Sequence, residues 1–374
     1  MKSIKEKKKK ESKKENIIKL ISSIAKILES NRINYFFFEK NYCYLVDYDK
    51  EGSKILVKIY LDNFNTNFNY SFAIDNKTFK TLKDITGITE FKDNEEYLII
   101  KTKNNEIEIP KTLYDAKISD DYKNIEYKNE IFFNDTVIYH FKVLDSLLDS
   151  DDEKSFNKIC FDFRNERLVA TNGYSLTAFN KVLSQKDLAF CLQREIIKIL
   201  ILLDTSFTLY YTDDYYLIKA KNVEIKGKFL NEMEYNFVLD NLSKEYFYSF
   251  KYNTKDLINY INIFSKSREE KRQDWKHFAF SIRDNILYLE NIKYDYIDKK
   301  VEVLNKVKLL EVEKKVDDYS IYLNQKYFLD VIKKLKDKEI LISLPYNHYV
   351  LLIEFENGFN LLGALKHKEK KEEF

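Results

Sequence analysis

His140, His277, His348 and His367 are the chain's four histidines, and they are its most obvious candidates for acid–base work or metal ligation. A zinc hydrolase would need an HExxH or HxxxH spacing, and none occurs. Paired carboxylates stand at Asp151–Asp152, Asp213–Asp214 and Glu269–Glu270, all in segments that read as turns, where solvated charge is the default. Cys43, Cys160 and Cys191 lie far apart without a CxxC, which argues against a disulfide framework or a zinc site and fits a reducing compartment. Cys160 and Cys191 fall in apolar segments and read as buried small hydrophobes. With only 6 glycines, the chain holds no GxGxxG, P-loop or GxSxG. The expectation is a protein that is not an enzyme, with no catalytic residue, cofactor or metal.

Charge points to a different kind of chemistry. Lysines and arginines number 63 against 61 acids, yet residues 1–15 alone carry a net +5, so the remainder is net −3. This Lys-rich tail reads as a solvated terminus or as a weak phosphate contact. Within the acidic remainder, six helix-like windows together sum to +9. Lys77, Lys80 and Lys83 recur every third residue, and Lys326, Lys333, Lys334 and Lys336 load a window near the C-terminus. Arg194 and Lys198 sit four apart on one helix face. Such windows could meet a polyanion, or they could be the ordinary solvent faces of a Lys-rich protein.

The elements that would position these residues recur at a spacing of about 120 residues, a repeat read from the order of patterns. Three-and-four apolar spacing predicts helices over Asn16–Ser30, Val137–Ser150 and Thr254–Arg268. Aromatic-rich hairpins follow at Ile33–Asp47, Asn157–Phe179 and His277–Ile297. Second helices are expected over Asn76–Lys83, Cys191–Leu203 and Gln325–Lys336, and closing strands over Glu96–Ile109, Phe207–Ala220 and Ile340–Phe355. The expected class is α+β: a three-fold repeat with two helices packed on antiparallel sheet in each part. The divisions are 1–15 tail, 16–124, 125–243, 244–366 and a charged tail 367–374. No Pro- or Gly-rich linker separates the parts, so strands should continue across the joins. No apolar run is long enough to span a membrane and no signal peptide is evident, which predicts a cytoplasmic protein.

Arg167–Leu176, RLVATNGYSL, has no acid–base partner within sequence reach, but it is the most distinctive segment of the chain. It resembles the signature of the bacterial DNA sliding clamp, the DNA polymerase III beta subunit, which reads close to LVATDGHRLA. Leu323–Leu329 resembles that family's LNPKYLLD-type segment, and Gly227–Leu239 resembles its GxFPDYxxVIP segment. The similarity covers about residues 16–366 and is strongest over 156–183 and 318–355.

The resemblance implies a head-to-tail homodimer, with six domains in a ring around double-stranded DNA and helices on the inner wall. Such a ring is a processivity factor in DNA replication that contacts phosphates without reading sequence. Lys77, Lys80, Lys83, Arg194, Lys198, Lys266, Arg268, Lys326, Lys333 and Lys334 would face DNA. The resemblance also implies a hydrophobic cleft that takes short linear peptides from the DNA polymerase and clamp-loader subunits. Carried over by motif, it would involve Phe156, Thr171, Gly173, Tyr174, Ser175, Leu176, Met233, Val238, Val350, Leu361 and Gly363. The family's Asp-Gly-His-Arg reads Asn172-Gly173-Tyr174-Ser175 here, so partner choice should differ at Asn172, Tyr174 and Ser175. Other readings of the chain are a specialised or non-loading clamp paralogue and a non-DNA repeat scaffold. Trp275 reads as a core or rim aromatic.

Overall fold

The computed structural model describes residues 19–28, 35–39, 41–48, 54–61, 71–75, 77–78, 85, 88–113, 124–148, 157–240, 246–266, 276–295, 297, 300–313, 317–346 and 349–365. Both charged tails, Trp275, His348 and His367 lie outside them. The chain divides into two compact units. One takes residues up to Ile138 together with Glu195–Leu230, and the other takes Tyr139–Arg194 together with residues from Asn231 onward.

The first unit is built on a nine-stranded antiparallel sheet. Its order is Thr112–Leu113, Phe72–Asp75, Tyr35–Glu39, Tyr42–Tyr48, Lys54–Tyr60, Val223–Lys228, Tyr215–Ala220, Phe207–Tyr211 and Asn129–Phe133. The join between distant segments is Val223–Lys226 against Ile59–Leu56. Tyr60 strengthens it by donating its hydroxyl to Glu224 at 2.6 Å. Over 19–27 the chain is helical and buries Ile21, Ile24, Ala25 and Leu28, the three-and-four spacing of one apolar face. A smaller sheet carries Ile88–Asp93, Tyr97–Thr102 and Glu106–Pro110 in that order.

The second unit holds an eight-stranded antiparallel sheet. Its order is Ala189–Gln193, Lys158–Asp162, Arg167–Thr171, Ser175–Phe179, Gly358–Gly363, Val350–Phe355, Glu339–Pro345 and Tyr246–Asn253. A further sheet runs Val301–Glu311, Ile286–Tyr294, His277–Arg283 and Tyr319–Asn324. Helices Thr254–Lys266 and Gln325–Ile332 pack beside it. Leu257, Ile261 and Phe264 from the first helix meet Phe328 and Ile332 from the second over Phe278 and Phe280. Each such aromatic, once fully buried, contributes about 1.5–3 kcal/mol.

Both large sheets thus combine strands from segments far apart in the chain. The turn at Asp284–Asn285 takes positive φ at both residues, 50° and 57°, as the dipeptide's residue types allow. Two expected boundaries need correction. The helix expected from Cys191 begins at Arg194, because Ala189–Gln193 alternates its side chains and pairs with Lys158–Asp162. The helix expected to reach Lys336 closes at Ile332, with Lys333 as its C-cap. Apolar alternation does not predict strands Val301–Glu311 and Tyr246–Asn253; the first is largely exposed, which leaves its alternation faint.

Gly227 shows how tightly the nine-stranded sheet is packed. A Cβ there would collide with the hydroxyl end of Tyr216, whose ring is fully buried and has no room to turn aside. Gly227→Ala is expected to cost about 1–3 kcal/mol by overpacking, read as a lowered midpoint in chemical denaturation.

Candidate functional site

The segment Arg167–Leu176 forms a hairpin whose turn is built from side chains. Asn172 Oδ1 accepts from the backbone N–H of Tyr174 at 3.0 Å and of Ser175 at 2.8 Å. Thr171 Oγ1 donates to Ser175 O at 2.8 Å and accepts from Gly173 N at 3.1 Å. Gly173 adopts φ 84°, a left-handed conformation that costs a glycine little. The Asn172 amide also donates to the carbonyl of Leu147, at the end of helix Val137–Leu147. A carboxylate could accept the same two backbone bonds but could not make this donation. Asparagine here thus ties the turn to the end of a helix, where carbonyls have no partner within the helix itself.

The turn projects Tyr174, which is 55% exposed. Its ring stacks on Tyr327 of helix Gln325–Ile332, with centroids 5.1 Å apart and planes 8° from parallel. Its carbonyl accepts from Gly363 N at 2.9 Å, and a Cβ at Gly363 would stand 3.1 Å from that oxygen. Glycine at 363 therefore permits the close approach.

Strand register sorts the remaining candidates. Thr171 pairs with Leu176, Leu176 with Leu361, and Val350 with Gly363. With alternation along each strand, Thr171, Leu176, Leu361, Val350 and Gly363 share one face of the eight-stranded sheet. Lys158, Cys160 and Asp162 share that face by the same register. Ser175 points to the opposite face and is 3% exposed. There it accepts from Asn360 Nδ2 at 2.7 Å, and the same amide donates to Thr177 Oγ1 at 2.9 Å and Leu176 O at 3.2 Å. Ser175 is thus held by Asn360 on the face opposite Leu176 and Leu361, which are themselves buried. Phe156 lies outside the described residues.

Met233 and Val238, both half-buried, belong to a segment laid over Lys158–Asp162. Three side chains pin this strap. Lys158 Nζ donates to Asn231 O at 3.0 Å, Arg164 pairs with Glu232, and buried Tyr235 donates to Asp162 Oδ2 at 2.6 Å. Burial pushes the Asp162 carboxyl up, but hydrogen bonds from Asn165 and Tyr235 outweigh it and hold it below the ordinary carboxylate value. Burial and the adjacent Asp162 push the Tyr235 hydroxyl up. The family-like segments Leu323–Leu329 and Gly227–Leu239 contain Tyr327 and the strap, but nothing local in the sequence marks Asn360 or the contacts that these residues make. An apolar-run search passes over them, because their roles exist only once remote strands are paired.

The basic candidates are spread. Arg194 is committed internally: its Nε meets Asp145 Oδ1 at 2.6 Å and its guanidinium reaches Asp145 O at 3.2 Å. Lys198 and Lys326 are half-buried, while Lys77, Lys333 and Lys334 are exposed. Lys266 is described only in its backbone, and Lys80, Lys83 and Arg268 lie outside the described residues. His140 packs on Phe179 with centroids 4.4 Å apart, and burial, reinforced by Lys336, pushes it down to about 4. Among the described residues, no cluster of three or more His, Cys, Asp or Glu could hold a metal ion. No helix of the described residues is long and apolar enough to cross a membrane.

No protein-family model matches the chain, and no curated protein does. Solved structures do. The Helicobacter pylori beta clamp bound to a DNA ligase peptide is 15% identical, with a TM-score of 0.69 over 95% of this chain and 98% of its own. The DNA polymerase III beta subunit of Thermotoga maritima is 15% identical, with a TM-score of 0.70 over 93% and 97%. The beta subunit from Borrelia burgdorferi is 16% identical, with a TM-score of 0.69 over 94% and 98%. The chain has the clamp fold over nearly its whole length and is divergent in sequence.

The depressed Asp162 has a pH signature. Its contribution to stability is fully present above the unfolded carboxylate value and is lost as pH falls through its lower folded value. Asp162→Asn is therefore expected to be less stable than wild type near neutrality, with the gap narrowing in acid. Denaturation midpoints measured from pH 7 to pH 3 check this; a gap that widens in acid contradicts it.

Proposed function

We propose that this chain is a DNA sliding clamp, a non-catalytic processivity factor that encircles duplex DNA and tethers a polymerase through a peptide cleft. The observation that carries this reading is the likeness to DNA polymerase III beta subunits over nearly the whole of both chains. The division into domains 16–124, 125–243 and 244–366 belongs to the same proposal. It is supported by two sheets that each draw strands from consecutive domains. A cytoplasmic, bacterial setting goes with it.

Ring closure by a second copy is supported by what the other two sheets leave at their edges. Val301–Glu311 is an outer strand with exposed Lys306 and Lys308, and Glu106–Pro110 is an outer strand with exposed Glu106 and Glu108. An antiparallel register between two copies that sets Lys306 against Glu108 also sets Lys308 against Glu106. Their partners within the chain, Glu311 for Lys308 and Lys101 for Glu106, form exposed pairs worth little. Such edges attract another strand unless they are covered.

The peptide cleft would use the face carrying Thr171, Leu176, Leu361, Val350 and Gly363, flanked by Met233 and Val238. The Helicobacter pylori clamp binds a DNA ligase peptide. In this chain Tyr174 stands where the family's segment has His and stacks on Tyr327, and this aromatic pair favours a peptide carrying an aromatic or aliphatic anchor. Lys77, Lys198, Lys326, Lys333 and Lys334 would supply sequence-neutral phosphate contacts, whereas Arg194 acts as an internal tie.

The decisive experiment is retention on closed circular DNA after loading, with release when the circle is cut. Retention that ignores DNA topology would favour a scaffold. Wild type is expected to run as a dimer in sedimentation. Lys306→Glu with Lys308→Glu, and separately Glu106→Lys with Glu108→Lys, should each yield monomers, and mixing the two variants should restore a dimer. Removing Lys333 and Lys334 together should flatten the salt dependence of DNA binding by about 0.9 in log–log slope for each phosphate no longer neutralised.

A further inference from the structure

The strap Asn231–Tyr235 covers two thiols. Cys160 and Cys191 stand directly opposite each other on neighbouring antiparallel strands, at 2% and 0% exposure. The two thiols are hydrogen-bonded to one another, and the backbone N–H of Met233, in the strap, donates to the pair. Directly opposed residues in an antiparallel ladder have Cα atoms about 4.5–5.5 Å apart, inside the roughly 4.4–6.8 Å that a disulfide spans. Strand Ala189–Gln193 is the outer strand of its sheet, so it can close the remaining gap without disturbing a second neighbour. Cys43, by contrast, faces Phe38 and Ile59 across its two ladders and has no thiol opposite it.

We propose that Cys160 and Cys191 form a redox modification site, a dithiol that closes to a cross-strand disulfide when the strap lifts, with a small peroxide as the oxidant class. In the first step the Cys160 thiolate attacks one peroxide oxygen. The O–O bond breaks, Cys160 becomes a sulfenic acid, and hydroxide leaves with the thiol's proton as water. In the second, Cys191 attacks the Cys160 sulfur and expels the sulfenic oxygen, which leaves as water with the Cys191 proton. Two thiols and one hydrogen peroxide thus give one disulfide and two waters.

Burial makes the strap the gate. Its pins are the exposed Arg164–Glu232 pair, the Lys158–Asn231 bond and the Tyr235–Asp162 bond. A short segment held by a few polar contacts opens locally without global unfolding. Closure of the disulfide removes the thiol partners of Met233 N–H and so alters one flank of the proposed cleft. That consequence rests on the cleft reading, whereas the oxidation does not.

The test exposes the folded full chain to hydrogen peroxide, quenches with catalase, unfolds, alkylates with iodoacetamide and measures mass. The expected product is 2 Da lighter before alkylation and carries one carbamidomethyl group, on Cys43, in place of three. Peptide mapping should join the fragments holding Cys160 and Cys191, and Cys160→Ser should abolish the 2 Da loss. Tyr235→Phe should accelerate closure by about ten- to hundredfold, the effect of losing one hydrogen bond to an ionised carboxylate. Glu232→Gln, at an exposed position that does not threaten folding, should accelerate it by at most about fivefold, the worth of one exposed ion pair. Three alkylated cysteines after exposure, independent over-oxidation of single thiols, or a rate indifferent to both strap variants would each overturn the proposal. None of these outcomes depends on DNA binding or ring formation.

Discussion

The pairing of Ser175–Phe179 with Gly358–Gly363 is the contact on which the second unit depends. It joins segments far apart in the chain and turns two smaller sheets into one of eight strands. Asn360 sits inside the join and spreads one amide over Ser175, Leu176 and Thr177. Each such bond adds only about 0.5–1.5 kcal/mol net, but leaving those buried groups unpaired costs more, which makes the register specific. A shift of one residue would move Leu176 and Leu361 to the wrong face and strand the polar row in an apolar setting. The approach of Gly363 to the Tyr174 carbonyl follows from this alignment.

Electrostatics within the second unit is used first to hold parts together. Arg194 with Asp145, Arg164 with Glu232, and Asp162 with Tyr235 each fasten one segment to another. A charge engaged in this way is withdrawn from the long-range field, so counting charges by window overstates what reaches the surface. Of the described basic candidates, Lys77, Lys333 and Lys334 are exposed. The strap adds a second theme: the same few polar pins hold Met233 and cover two aligned thiols. The proposed cleft and the proposed redox pair share this segment.

Particular elements show how much of the fold is legible in the sequence. Helices Val137–Leu147 and Thr254–Lys266 and the hairpin turn at Asp284–Asn285 follow from local apolar spacing and turn chemistry, because those signals lie within a few residues of one another. Apolar spacing carries helix Gln325–Ile332 too far, since the lysines after it continue the pattern without continuing the helix. The same spacing puts Cys191 in a helix, since CLQREIIKILILL is apolar enough for either structure, and only its pairing with Cys160 makes it a strand.

What the sequence by itself determined is the class, α+β, and the resemblance carried by RLVATNGYSL, whose turn depends on its own Asn172, Gly173 and Thr171. Only the tertiary structure decided what those residues serve. Ser175, adjacent to Tyr174 in the chain, turns inward to Asn360, while Tyr174 turns outward to Tyr327. Alternation along a strand sends neighbours to opposite faces, and which face is interior depends on strands brought in from the far end of the chain. The same reason separates Arg194, spent on Asp145, from the lysines left at the surface. It also turns two cysteines that read as inert filler into an aligned pair.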